Sequence, residues 1–182
     1  MLSSIVNEAS HFTAEDYFNL AWQYIASGDE RLTSQALSYF KKAGDEGLER
    51  GYAYAAWLTH QEDPNKDIAD LLDKAPNCAL SHYLLSEKVF QNAVSSENIK
   101  AGWQHIHDTY DIMTAHLQDS TKPLPYEYGN IAYELDMVFS SIKEPAKSSQ
   151  IISTAYAKHV LICEKIDNQV EVTPQAPHPT NG

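Results

Sequence analysis

The chain has 182 residues, enough for one medium-sized domain with a substantial core but few for two. Apolar residues make up 43% of it and charged residues 21%, which excludes a disordered protein. The formal net charge of −12 argues against nucleic acid as a ligand, because basic surfaces recognise phosphate.

Capping residues and apolar periodicity predict four helices in the first half of the chain. Thr13 followed by Asp16 is a capping arrangement that opens the first helix, which ends at Gly28. The next three helices are expected at about residues 33–46, 49–61 and 65–75.

Four more helices are predicted in the second half, at about residues 77–93, 95–118, 125–142 and 145–165. Ser95 or Ser96 caps the sixth, and Pro125 and Pro145 suit the first positions of the seventh and eighth, where a missing N–H is tolerated. The segment 168–182 has no apolar period and is expected to be a disordered tail, which leaves a single domain over residues 1–167. No alternating strand pattern competes, so we predict an all-α fold.

Pairs of an aliphatic or small residue followed by a small one recur in the middle of the odd-numbered helices. They are Leu20-Ala21, Ala55-Ala56, Leu85-Ser86 and Ile131-Ala132. Their spacings of about 30–46 residues lie in the range of helical repeats. A small residue lets two helix axes approach to about 8–10 Å. The pattern therefore predicts stacked helix pairs, and Trp22 and Trp57 directly follow the first two small residues.

The stretch AEDYFNLAWQYIASGD…QALSYFKKAGDEG resembles a tetratricopeptide-type repeat. The matching positions are Tyr17, Asn19, Leu20, Ala21, Tyr24, Gly28 and Asp29 on its first helix and Ala36, Leu37, Tyr39, Phe40 and Ala43 on its second. A longer turn between the two helices and the closing KAGDEG are more similar to the Sel1-like variety. The likeness is strongest over residues 14–60, extends to 93 through APNCALSHYLLSEKVF and weakens beyond.

This resemblance implies an α-α solenoid, a right-handed superhelix of about four antiparallel helix pairs in which the last pairs are irregular or form a cap. The first helix of each pair would line a concave groove. The groove residues that it implies are Glu15, Phe18, Trp22, Arg50, Trp57, His60, Tyr83, Glu87, Tyr126 and Tyr133. An aromatic and acidic groove suits a protein segment with apolar and basic residues. In the alternative interpretation, Trp22 and Trp57 stack between neighbouring pairs and meet no partner.

Catalytic and metal-binding signals are weak. In WQHIHDTYD, His105 and His107 are two positions apart on a helix and cannot share a metal ion there. His107 and Asp111, four apart, could act as two ligands, with His105, Asp108 or His116 harder to recruit. Because no phosphate loop, nucleophile elbow or helical His-Glu-x-x-His motif occurs, we expect no active site, no metal and no cofactor.

The sequence thus favours a non-enzymatic module, adaptor or chaperone-like, that binds another protein. Its acidity also suits an immunity-type inhibitor of a basic toxin, and a His/Asp metal-dependent hydrolase is a remote third alternative. Cys78 and Cys163 have no metal or redox spacing, and no secretory signal or long apolar run is seen, so we expect a cytoplasmic protein with neither membrane nor nucleic-acid partners. The sequence leaves homo-oligomerisation open.

Overall fold

The structure, a computed structural model, describes the backbone of residues 12–172 and the side chains of residues 12–169. Over these residues the protein is all-helical, with no strand. The α-helices are α1 (Ala14–Ala26), α2 (Thr33–Asp45), α3 (Glu49–Glu62), α4 (Ala69–Asp73), α5 (Ala79–Gln91), α6 (Ser96–Leu117), α7 (Tyr126–Ser140) and α8 (Gln150–Val172). Short 3-10 helices cover Glu30–Leu32 and Pro145–Lys147. The predicted all-α class is confirmed for this part of the chain, and none of its helices combines the length and apolarity needed to cross a membrane.

The chain divides into two compact units, with the boundary between Pro76 and Asn77. In the first unit α1 packs on α2, α2 on α3, and α3 on α4. In the second unit α5 packs on α6, α6 on α8, and α7 on both α5 and α8. Stacking of all eight helices into one superhelical domain over residues 1–167 stays a prediction.

Local hydrogen bonds fix several of the helix ends that the sequence predicts. The Thr13 amide donates to Asp16 Oδ2 at 2.8 Å, and the Asp16 amide donates to Thr13 Oγ1 at 3.2 Å, which completes the predicted capping box of α1. Ser95 caps α6 by accepting from the Asn98 amide at 3.2 Å. Gly47, at φ +103°, ends α2 in a left-handed conformation that suits glycine, and the amide of Leu48 closes the turn on the Ala43 carbonyl.

Three helix boundaries in the second unit differ from the prediction. Pro125 directly precedes α7 as its N-cap, whereas Pro145 opens only a 3-10 turn, and α8 begins at Gln150. Glu144 in the left-handed region, φ +52°, and Ser148 in extended conformation separate this turn from the helices on either side. The end of α8 at Val172 makes residues 168–172 helical, so the tail does not begin at 168; the rest of the predicted tail lies outside the described residues.

The small residues of the repeated pairs are all buried, as their predicted place between helices requires. They are Ala21, Ala55, Ala56, Ser86 and Ala132. The core of the first unit contains the fully buried ring of Phe40. The core of the second unit contains the fully buried side chains of Tyr110, Met113 and Leu135. Each unit thus has a hydrophobic core of its own, and this core fixes the helices that carry its surface side chains.

Candidate functional site

Five aromatic side chains from α1, α2 and α3 meet in the first unit. This aromatic cluster consists of Phe18, Trp22, Phe40, Tyr54 and Trp57. The Tyr54 ring is at its centre, with centroids 5.1 Å from Phe18, 5.3 Å from Trp22, 5.4 Å from Phe40 and 6.0 Å from Trp57. Mostly edge-to-face contacts of this kind stabilise aromatic pairs beyond the area that they bury.

Trp22 and Trp57 lie at the edge of the aromatic cluster. Their ring centroids are 6.4 Å apart with planes inclined by 37°, and both side chains are half-buried, whereas Phe18, Phe40 and Tyr54 are buried. Each tryptophan follows a buried alanine, Ala21 or Ala56, and so is turned about 100° around its helix from the core-facing position. The indoles therefore pack against Tyr54 and also keep surface in contact with solvent.

The other predicted groove residues of the first unit differ in exposure. Glu15 is exposed on α1, whereas His60 and Phe18, at 6% and 4% exposed, are buried and do not offer an open surface to a partner. The Arg50 guanidinium carbon lies 4.8 Å from the Phe18 ring centroid and 5.5 Å from that of Tyr54. Rings of the aromatic cluster thus already accept a cation on their faces.

The predicted groove residues of the second unit form two sets. The Tyr83 hydroxyl donates to Glu87 Oε1 at 2.7 Å within α5, and burial, followed by this hydrogen bond, raises the pKa of Tyr83. On α7, Tyr126 and Tyr133 are 59% and 66% exposed and lie two turns apart on one face of the helix. The structure places these residues in a different unit from Trp22 and Trp57, so their membership in one continuous groove stays a prediction.

The His107–Asp111 pair is directed toward α8. The His107 ring donates from Nε2 to the Ile151 carbonyl at 2.8 Å, and Asp111 Oδ1 accepts from Lys158 Nζ at 2.6 Å. Both line a depression together with Gln104, Gln150, Ile151, Thr154 and Lys158. These bonds join α6 to α8, and among the described residues the pair belongs to no group of three metal-ligating side chains.

A polar network around the buried His159 ring resembles a catalytic arrangement in composition only. The Tyr110 hydroxyl donates to His159 Nδ1 at 2.9 Å, and the opposite ring nitrogen, Nε2, donates to Asp136 Oδ1 at 3.0 Å. Cys163 Sγ lies 3.6 Å from Nε2. Burial, and next the nearby carboxylates of Asp136 and Asp167, raise the pKa of Cys163, which keeps it a thiol and argues against a nucleophile. The network satisfies the polar groups of a core histidine.

The structure also brings together three ligand-type side chains that the sequence did not connect. His82 on α5 faces His105 and Asp108 on α6, and one potential ligand atom from each lies within 4.8 Å of the others. Burial, followed by the neighbouring His82, lowers the pKa of His105, while Asp108 opposes this shift. The i, i+3 spacing of His105 and Asp108 was visible in the sequence, but the contribution of His82 depends on how α5 packs against α6.

No family model, no curated protein and no solved structure matches this chain.

Proposed function

We propose that this protein is a non-enzymatic binding module of helical-repeat type, adaptor or chaperone-like, that holds a segment of another protein against the exposed side of the aromatic cluster. One observation carries the proposal: the ring centroids of Trp22 and Trp57 lie 6.4 Å apart, both side chains are half-buried, and Tyr54 packs against both. Tryptophan is enriched among the residues that dominate binding energy at interfaces. Two indoles fixed by a core ring offer a large contact area with little entropy to lose on binding.

The chemistry of the surface indicates the kind of segment that would bind. A net charge of −12 attracts a basic partner. Glu15 supplies an exposed carboxylate on α1, the helix that also carries Phe18 and Trp22. Arg50 lies over the Phe18 and Tyr54 rings of the same cluster. Indole faces attract a lysine or arginine in the same way, so a basic residue of the partner suits Trp22 and Trp57. The proposed ligand is a segment with an apolar anchor and at least one basic residue.

Tryptophan substitutions test this proposal. Partners captured by the full-length protein from a lysate of its native host are identified by mass spectrometry, and binding is then measured with the purified partner by calorimetry. We expect Trp22→Ala and Trp57→Ala each to raise Kd by about 30-fold or more, because each removes an interface tryptophan. Trp22→Phe keeps a ring against Tyr54 and Phe40, so its Kd should rise less than that of Trp22→Ala.

Tyr24→Ala is the matched control. Tyr24 is a half-buried aromatic residue on the same helix, but it stacks on Tyr39 at 5.5 Å and belongs to no contact of the aromatic cluster. Its removal should leave Kd unchanged. If Trp22→Ala and Trp57→Ala keep their helical circular dichroism and still bind the partner as the wild type does, the proposed binding surface is wrong.

A further inference from the structure

We propose that His82, His105 and Asp108 form a binding site for a divalent transition-metal ion such as Zn²⁺. The site lies wholly within the second unit and is independent of the proposed protein-binding function. It consists of two imidazoles and one carboxylate, supplied by α5 and α6.

The spacing of the three groups is close to that of a coordination sphere. One ligand atom from each residue lies within 4.8 Å of the others. Ligands about 2.0–2.1 Å from a tetrahedral ion are separated by about 3.3–3.4 Å, so closure requires side-chain movements of only about 1 Å. The 3.7 Å between His82 Nδ1 and Asp108 Oδ2 is longer than a hydrogen bond and already near that ligand–ligand separation.

Rigid elements hold the three side chains. His105 and Asp108 are one turn apart on the same face of the 22-residue helix α6, and α5 packs along this helix. All three side chains are half-buried, which leaves a route for an ion from solvent. Ligands on packed helices keep their relative positions better than ligands on loops.

The surroundings of the site orient its ligands. Gln104 Nε2 donates to Asp108 Oδ1 at 3.1 Å, which fixes the carboxylate so that Oδ2 is the oxygen near His82. Hydrogen bonds of this kind to a ligating carboxylate are typical of metal sites. His105 Nδ1 is shielded from solvent and makes no hydrogen bond with any residue that the structure describes. A buried ring nitrogen without a partner costs free energy, and a bond to a metal ion would remove that cost.

The ligand set determines the class of ion. Imidazole suits Zn²⁺, Co²⁺, Ni²⁺ and Cu²⁺, whereas Mg²⁺ and Ca²⁺ prefer sites made of oxygen ligands. Three protein ligands leave one position of a tetrahedral ion for water. Selectivity for Zn²⁺ over Mg²⁺ therefore distinguishes this site from general attraction of cations to an acidic protein.

Metal titration of the full-length protein, produced without a histidine tag, tests the proposal. His11 and His178, which lie outside the described residues, are replaced by Gln in every protein compared, so that their imidazoles do not contribute. We expect one Zn²⁺ per chain by calorimetry, retained in a large excess of Mg²⁺, and a rise in Tm on addition of Zn²⁺. Co²⁺ should give the visible absorption of a bound ion.

Substitution of any one ligand should strongly weaken Zn²⁺ binding. We expect His82→Ala, His105→Ala and Asp108→Asn each to weaken Zn²⁺ binding by at least about 100-fold, and Gln104→Ala to weaken it by about 10-fold. The matched control is His116→Gln, which removes a half-buried histidine of the same helix whose ring bonds to the Pro123 carbonyl, and it should bind Zn²⁺ as its parent does. Circular dichroism without metal checks that each variant is folded, and His82→Gln replaces His82→Ala if the latter is not.

Two results would overturn the proposal. The first is the absence of saturable Zn²⁺ binding in the parent protein. The second is Zn²⁺ binding of unchanged affinity in folded variants of His82, His105 and Asp108.

Discussion

Gly51 marks the place in the first unit where two helices meet without a side chain between them. It is buried near the start of α3, and a Cβ added to it would lie 2.6 Å from the Gly44 amide nitrogen and also against the Phe40 carbonyl oxygen. Both are backbone atoms of α2, which cannot move aside as the end of a flexible side chain can. The absence of a side chain at position 51 therefore sets the separation of α2 and α3.

Gly51→Ala is expected to destabilise the protein by about 1–3 kcal/mol, because overpacking forces the backbone to shift. The measurement is the free energy of unfolding in urea. Gly129→Ala is the control, since Gly129 is an exposed residue of α7 whose added Cβ would meet nothing within 4 Å. That variant should gain about 0.5–1 kcal/mol from helix propensity. Equal effects of the two substitutions would contradict this account of Gly51.

The first helix depends on its N-terminal capping box. The Asp16 carboxylate accepts from the Thr13 amide, and this bond, followed by a side-chain hydrogen bond with Thr13, lowers the pKa of Asp16 from its ordinary value of 3.8. The lowered pKa means that the ionised carboxylate stabilises the folded state at neutral pH. This contribution should be lost as the pH falls from about 3.8 through the lower folded-state pKa, where Asp16 is protonated.

Asp16→Asn should therefore have a lower Tm than the wild type at pH 7, and the difference should shrink as the pH falls through that window. Thermal unfolding followed by circular dichroism at a series of pH values measures it. Glu15→Gln is the control, because it removes a first-turn charge but no capping hydrogen bond. A Tm difference for Asp16→Asn that stays constant down to the most acidic pH would contradict the role of the carboxylate.

At the scale of helices, the sequence predicted those features that depend on near neighbours. Thr13, Ser95 and the apolar periods mark helices locally, and these helices were found. The start of α8 was predicted wrongly because Ser148 adopts an extended conformation that separates the Pro145–Lys147 turn from α8, and no sequence signal marks that break. The group of His82 with His105 and Asp108 was missed for another reason: it depends on the rotation of α5 against α6, which side chains distant in sequence determine.

The same limit applies to the candidate binding surface. The repeat identified Trp22 and Trp57 as equivalent positions, and burial of Ala21 and Ala56 agrees with the predicted role of small residues. Whether an indole meets solvent depends on the neighbouring rings that cover it, here chiefly Tyr54. Spacing alone could not show that both indoles are partly covered and partly exposed.

For the whole molecule, the division at Pro76 leads to a prediction about folding. Each unit buries its own large side chains, Phe40 in the first and Tyr110 in the second. Fragments 1–76 and 77–182 are therefore each expected to give helical circular dichroism and a cooperative thermal transition when produced separately. The intact chain is the reference, and the control is the 77–182 fragment cut within α6, after Tyr110, whose two pieces should both fail to fold. An unstructured 77–182 fragment would show that its core does not suffice.

The position of the indole rings gives this protein an internal optical reporter. Trp22 and Trp57 are close enough for their electronic transitions to couple, which should produce paired bands of opposite sign in circular dichroism. The third tryptophan, Trp103, belongs to the second unit, where it is buried against Phe90 and Phe139. In Trp103→Phe all tryptophan emission comes from the first unit, so fluorescence and helical signal recorded together can show whether the two halves melt at the same temperature, without any attached dye.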